Sequence, residues 1–199
     1  MAARRLDAWG FEVEVYLARG KQELHETPRQ QLERLEKASI SVYEGLPIQA
    51  NSSVILDAYM GYGYKPPPDA VSQRVVDFLT GRKMVISLDT PSGLDVTSGQ
   101  NASRSRPLAT MTLAFVKSGL LAAGPDELGD LYIADIGVPD VIYRQRLGIN
   151  WRSPHNPSSL EKLAAAFRRD SLQPIAIHRD AVPAWRYWQI ATKASRATS

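Results

Sequence analysis

Cysteine is absent from the 199-residue chain, which removes disulfides, zinc thiolates and thiol nucleophiles in one step. Histidine is nearly as scarce. His25, His155 and His178 are too scattered to suggest a His-rich metal centre. No apolar run approaches the roughly 20 residues that span a bilayer. The opening MAARRLDAWG carries two arginines but no apolar stretch behind them. Asp7 and Glu12 are also wrong for a transit peptide, so this stretch is read as a helix of the fold. A cytoplasmic protein with no membrane partner is the expectation.

The chain also lacks a strong net charge, but the formal +3 conceals an asymmetry. Residues 151–199 hold eight basic residues against three acids, which is +5 and leaves −2 for residues 1–150. A basic tail can dock on nucleic acid or anionic lipid. These charges are dispersed rather than blocked, so a solvated extension is expected and no nucleic-acid partner.

What is present is ordinary globular composition, 44% hydrophobic and 23% charged, long enough for one real core. The opening helix stops at Gly10, and FEVEVYLA (11–18) alternates as a strand. Glu26-Thr27-Pro28 opens a helix to about Ala38, with Thr27 as its cap and Leu32 and Leu35 inward. SVILDAYMG (53–61) begins as a short buried strand, and KPPPDA (65–70) must be a loop. Residues 70–80 have helical spacing and end at Gly81. MVISL (84–88), ATMTLAF (109–115) and LYIADIG (131–137) read as three further strands, with a helix near 140–147. Strands alternating with helices predict an α/β domain with a mostly parallel sheet, over residues 1–149. NWRSPHNPSS marks a boundary, and the basic extension 150–199 follows. Within it a helix is expected at about 159–169. Trp185, Tyr187 and Trp188 are expected to cover the main domain rather than bind a base.

Ligands of open parallel sheets sit outside the carboxyl ends of the strands. Two predicted strands end there in an aspartate, Asp57 and Asp89. Each leads into a glycine-containing loop, Gly61-Tyr62-Gly63 after the first and Ser92-Gly93 after the second. Pro91 fixes the direction in which the chain leaves the sheet, and Gly93 permits a sharp turn that aims Ser92 back at the strand end. A carboxylate, a hydroxyl and several carbonyls converging in a crevice suit a hard cation. The bland alternative is that Ser92 only caps its turn.

SVILDAYMGYGY, VISLDTPSGLD, ATMTLAFVKSGL and GDLYIADIGVP, in this order and spacing, resemble the NAD(P)H-hydrate epimerase family, the YjeF N-terminal domain. The resemblance covers roughly residues 1–147. It implies a Rossmann-like domain that interconverts the R and S epimers of hydrated NADH and NADPH, with a potassium ion near the nucleotide phosphates. Carried over by motif, Asp57 and Ser92 correspond to ion ligands. Gly61, Tyr62, Gly63, Tyr64, Lys65, Pro66 and Pro67 correspond to the substrate-binding segment, and Asp89 to a substrate contact. Asp89 is the candidate general acid and base. Lys117, in the Phe115-Val116-Lys117-Ser118-Gly119 turn, is the second candidate for proton transfer or phosphate contact, against the alternative of a solvated lysine. A homodimer is expected.

The chain also departs from the family. Members carry an upstream helix and strand and an Asn-Asn-Gly-Gly-Asp-Gly loop, whereas this sequence begins inside the helix that follows them. A raw edge or gap in the sheet is therefore expected, whether the true start lies upstream or the chain is a degraded paralogue. The 49 residues from 151 to 199 are too few for the kinase-like dehydratase domain of some relatives, so none is expected within them. A non-catalytic scaffold on the same fold, engaging RNA through its tail, is the competing reading.

Overall fold

A computed structural model of the chain describes residues 1–48, 54–134, 136–148 and 173–175. The loop expected at 150–159, the helix at 159–169 and the aromatics Trp185, Tyr187 and Trp188 lie outside the described residues.

The chain opens with helix α1 (Ala2–Ala8) and strand β1 (Glu14–Leu17). Helix α2 (Glu26–Lys37) and strand β2 (Ser41–Glu44) follow. β1 and β2 pair in parallel, Glu14 opposite Ser41 through Leu17 opposite Glu44. This four-residue ladder limits β1 to half of the predicted 11–18, and Phe11 beyond it is exposed. In α2 the inward residues are Leu32 and Leu35, as their spacing requires. The helix starts at Glu26 with His25 in the cap position, so Thr27 lies inside the first turn and is not the cap. Pro28 is tolerated there because the first-turn N–H groups have no intrahelical acceptor.

The main sheet contains β3 (Ile55–Asp57), β4 (Val85–Leu88), β5 (Ala109–Leu113), β6 (Asp130–Ala134) and β7 (Gln173–Ile175), in that spatial order and all parallel. Strand order follows chain order, so each crossover steps one strand along the sheet. The crossovers carry α3 (Ala70–Leu79), the pair α4 (Ser118–Ala123) and α5 (Pro125–Leu128), and α6 (Asp140–Leu147). β3 is less buried than its apolar sequence suggests, with Leu56 at 37% exposure, because it forms one edge of this sheet. β1–β2 and β3–β7 are separate sheets.

Two apolar clusters hold these parts together. Val75 and Leu79 of α3 pack on Val85 of β4, and Ala18, Leu46, Ile55, Tyr59 and Phe78 close around them. Both sheets therefore share one cluster. The second joins Leu94, Leu120, Leu128 and Leu131, three of them wholly inaccessible, so the turn after β4 is anchored under α4 and α5. Leu94 thus serves packing, although it lies within the most distinctive sequence motif.

A polar tie reinforces the first cluster. Asp69 caps α3 by accepting from the Ser72 N–H at 2.8 Å, and its other oxygen meets the Arg19 guanidinium just beyond β1. The Ser72 hydrogen bond, and then Arg19, hold the Asp69 carboxyl down at about 2. This folded value lies below the unfolded one, near 3.9, so the stabilisation is complete above the unfolded value. It is lost as pH falls through the folded one. Asp69→Asn should therefore lower the melting temperature at pH 6, and its deficit against wild type should shrink steadily between pH 4 and pH 2 in thermal unfolding monitored by circular dichroism.

Candidate active site

β3 and β4 are adjacent and parallel, with Asp57 in register with Ser87. Their carboxyl ends therefore deliver Asp57 and Asp89 to the same edge of the sheet. Asp57 is 4% exposed and is surrounded by neutral donors. Ser92 supplies its N–H to Oδ2 at 2.7 Å and its hydroxyl to Oδ1 at 2.5 Å. Ser87 adds its hydroxyl at 3.2 Å and Tyr59 its N–H at 3.5 Å. Burial pushes the Asp57 carboxyl up, and these hydrogen bonds oppose the shift without cancelling it.

The turn that carries Ser92 back towards β3 depends on Gly93, whose φ is +100°. A Cβ there would also lie 3.0 Å from the Ser103 Cβ and 3.1 Å from Val76. Ser92 Oγ in turn accepts the Met60 N–H at 3.0 Å, fixing the start of the Gly61–Pro67 segment. Ser92 is therefore a three-way junction rather than only the cap of its own turn.

Asp89 adopts φ +71°, a left-handed conformation that aspartate tolerates better than most residues. Its Oδ1 accepts from the Lys117 ammonium and from the Leu113 N–H at 3.1 Å. Lys117 also donates to Thr112 Oγ1 at 2.8 Å and to the Leu113 carbonyl at 3.1 Å, so all three of its protons are engaged. At 10% side-chain exposure it is a half-buried partner of Asp89 and not a solvated lysine. Ala114 makes this placement possible. With φ +67° and a Phe115 N–H to Leu113 carbonyl bond of 2.8 Å, it forms a γ-turn that folds the chain back on itself.

Asp89 Oδ2 has no hydrogen-bond partner among the described residues and points towards Gly61, where an added Cβ would lie 4.0 Å away. The Gly61–Pro67 segment thus runs past the free carboxylate oxygen. Tyr62 is 71% exposed, Gly63 has open space around it and the Pro66–Pro67 peptide is cis. Lys65 Nζ reaches both oxygens of Asp95 at 3.1 Å and Thr97 Oγ1 at 3.2 Å.

Thr112, Asp95 and Thr97 went unnoticed in the sequence. A signal for the first exists: Thr110 and Thr112 alternate on the buried face of β5, where apolar residues are the rule. Asp95 offered none beyond its place in the motif. Gly119, last residue of the Phe-x-Lys-x-Gly element, touches the same loop. A Cβ on it would lie 2.3 Å from the Asp95 carbonyl oxygen, so this glycine permits backbone contact between α4 and the motif turn.

Among the described residues no cluster of three or more His, Asp, Glu or Cys side chains could hold a metal. The Asp57–Ser92 pair fits a cation in another way. It presents oxygen ligands and a buried carboxylate that no basic side chain among the described residues neutralises.

The fold and site define an α/β domain of Rossmann-like type, with a polar crevice at the carboxyl ends of β3 and β4. A match to the family of the YjeF-related protein N-terminus extends over residues 1–119. The chain belongs to that family. It is 34% identical over 168 residues to an NAD(P)H-hydrate epimerase of Dehalogenimonas lykanthroporepellens, covering 83% of this chain and 67% of that protein. It is 31% identical to the bifunctional NAD(P)H-hydrate repair enzyme Nnr of Thermofilum pendens, covering 77% of this chain but only 32% of that longer protein. The crystal structure of yeast ynu0 has the same fold, with a TM-score of 0.62 at 19% identity, covering 78% of this chain and 68% of the yeast one.

Ser92→Ala should remove two buried hydrogen bonds at once, leaving the Met60 N–H without its acceptor and Asp57 Oδ1 with only the long Tyr59 N–H contact. A loss of about 2 kcal/mol is expected, read as a lower urea midpoint at unchanged slope.

Proposed function

We propose that this chain interconverts the R and S epimers of hydrated NADH and NADPH, as a repair activity on damaged nicotinamide cofactors. Relatives named for that reaction support the reading. Within the molecule, the observation that carries it is the free Oδ2 of Asp89, held beside the Gly61–Pro67 segment by Lys117. The substrate bears a hydroxyl on the ring carbon next to the ring nitrogen. The nitrogen lone pair expels that hydroxyl, which takes a proton and departs as water. Water then returns to the opposite face and gives the proton back, so nothing is consumed. Asp89 is positioned to move this proton through Oδ2, while Oδ1 stays bound to Lys117.

Lys117 has no unengaged proton, so its role is to hold Asp89 and balance its charge rather than to contact phosphate directly. Gly61, Tyr62, Gly63, Tyr64, Lys65, Pro66 and Pro67 form the substrate-binding segment, with the exposed Tyr62 ring and the open Gly63 backbone facing the bound cofactor. Asp57 and Ser92 would hold a potassium ion, whose charge would offset both the buried carboxylate and the nucleotide phosphates. The homodimer and cytoplasmic setting expected from sequence go with this reading. Among the described residues no helix is long and apolar enough to cross a membrane.

The deciding assay follows conversion of purified S-epimer to R-epimer by chromatography. Asp89→Asn should slow it by roughly 10²–10³-fold with the fold intact. An unchanged rate in that variant would refute the acid–base assignment. Potassium chloride should raise the melting temperature of wild type above that in choline chloride at equal ionic strength, and Asp57→Asn should abolish the difference.

A further inference from the structure

The Gly61–Pro67 segment is built as a bridge with two fixed ends and a loose middle. At the first end, the Met60 N–H is bound to Ser92, and the Tyr64 N–H closes a turn onto the Gly61 carbonyl at 3.0 Å. At the second end, Lys65 reaches across to Asp95 and Thr97. Between them Tyr62 and Gly63 lie open.

The two partners at the second end differ in rigidity. Asp95 has a 7% exposed side chain whose Oδ1 accepts the Thr97 N–H at 2.7 Å and the Ser98 N–H at 3.3 Å. Its main chain is tied to Gln100 and Gly99 at 2.8 Å each. Lys65 is 60% exposed and makes no other side-chain bond among the described residues. Asp95 is therefore a fixed post and Lys65 the movable arm. The closed position also buries the Tyr64 hydroxyl without a partner among the described residues, which works against closure and leaves the ion pair to hold it.

We propose that the Lys65–Asp95 ion pair latches the Gly61–Pro67 segment closed beside Asp89, making Lys65 and Asp95 positioning residues for substrate binding. The proposal rests on the reading of that segment as the substrate-binding one. Opening breaks the bonds of Lys65 and the turn bond from the Tyr64 N–H to the Gly61 carbonyl, and it leaves the Asp95 turn, which is held by its own backbone. A weakened latch lowers the closed, binding-competent fraction and raises the apparent dissociation constant in proportion.

The test uses full-length K65M, K65R, D95N and the K65M/D95N double variant. The amide of D95N keeps an oxygen for the Thr97 N–H, so this change removes the charge without dissolving the turn. Amide hydrogen exchange at Tyr64, measured without substrate, should quicken about fivefold in K65M and D95N, as for an ion pair with one exposed partner. It should quicken no further in the double variant and return most of the way to wild type in K65R. With hydrated NADH as substrate, KM should rise in K65M by no more than that factor, while kcat falls less. Unchanged Tyr64 exchange in K65M, additive effects in the double variant, or a kcat loss exceeding the KM rise would each overturn the latch. A wild-type chain with no epimerase activity would instead refute the functional reading, and the exchange measurements would still decide the latch.

Discussion

The contact between the Asp57 carboxylate and Ser92 is the interaction on which the site depends. Through its N–H and hydroxyl, Ser92 binds the turn after β4 to the end of β3. The same hydroxyl accepts the Met60 N–H and so fixes where the Gly61–Pro67 segment begins. Three stretches distant in sequence thus meet at one buried oxygen pair. The arrangement is costly, because a carboxylate surrounded only by neutral donors is desolvated without a compensating charge. A protein whose only need was stability would be served better by an apolar residue of similar size. On the proposed reading, the cation that Asp57 would hold offsets that cost.

The rest of the site is organised by local backbone geometry. Asp89 and Ala114 both have positive φ, and each lies just beyond a strand end. The first turns a carboxylate out of the sheet, and the second returns the chain so that Lys117 meets that carboxylate from the neighbouring strand. Gly119 then allows the helix after Lys117 to approach the Asp95–Val96 backbone closely. The two halves of the Phe-x-Lys-x-Gly element therefore serve one purpose: the lysine faces the site, and the glycine sets the depth at which its helix docks.

Much of this was legible in the sequence, because buried parallel strands ending in aspartate leave a clear pattern. Asp57 and Asp89 fall on one edge, Ser92 turns back as Gly93 permits, and the prolines lie in a loop. What was not legible follows from contacts that no local pattern encodes. The engagement of Lys117 depends on a strained alanine, a residue type that gives no warning of positive φ. β2 escaped notice because SVYE has no apolar alternation and is ordered mainly by pairing with β1. Lys65 was legible as a loop residue, but its partner lies 30 positions away across a turn that only the fold brings close.

Asp57 and Asp89 show why sequence position alone cannot assign roles. Both end a parallel strand, both precede a glycine-containing loop, and they sit on adjacent strands. Both oxygens of Asp57 are engaged by donors of the protein, and the residue is sealed from solvent. A proton reaching it would have to displace those bonds, which suits a fixed charge and not a shuttle. Asp89 divides its oxygens, one tied to Lys117 and the Leu113 N–H, the other free and facing Gly61. The bound oxygen sets the orientation, so the free one can exchange a proton without losing its place. Of the two carboxylates, only Asp89 combines a fixed orientation with an accessible lone pair. On the proposed reading proton transfer therefore falls to Asp89, and Asp57 would organise the site and hold the cation.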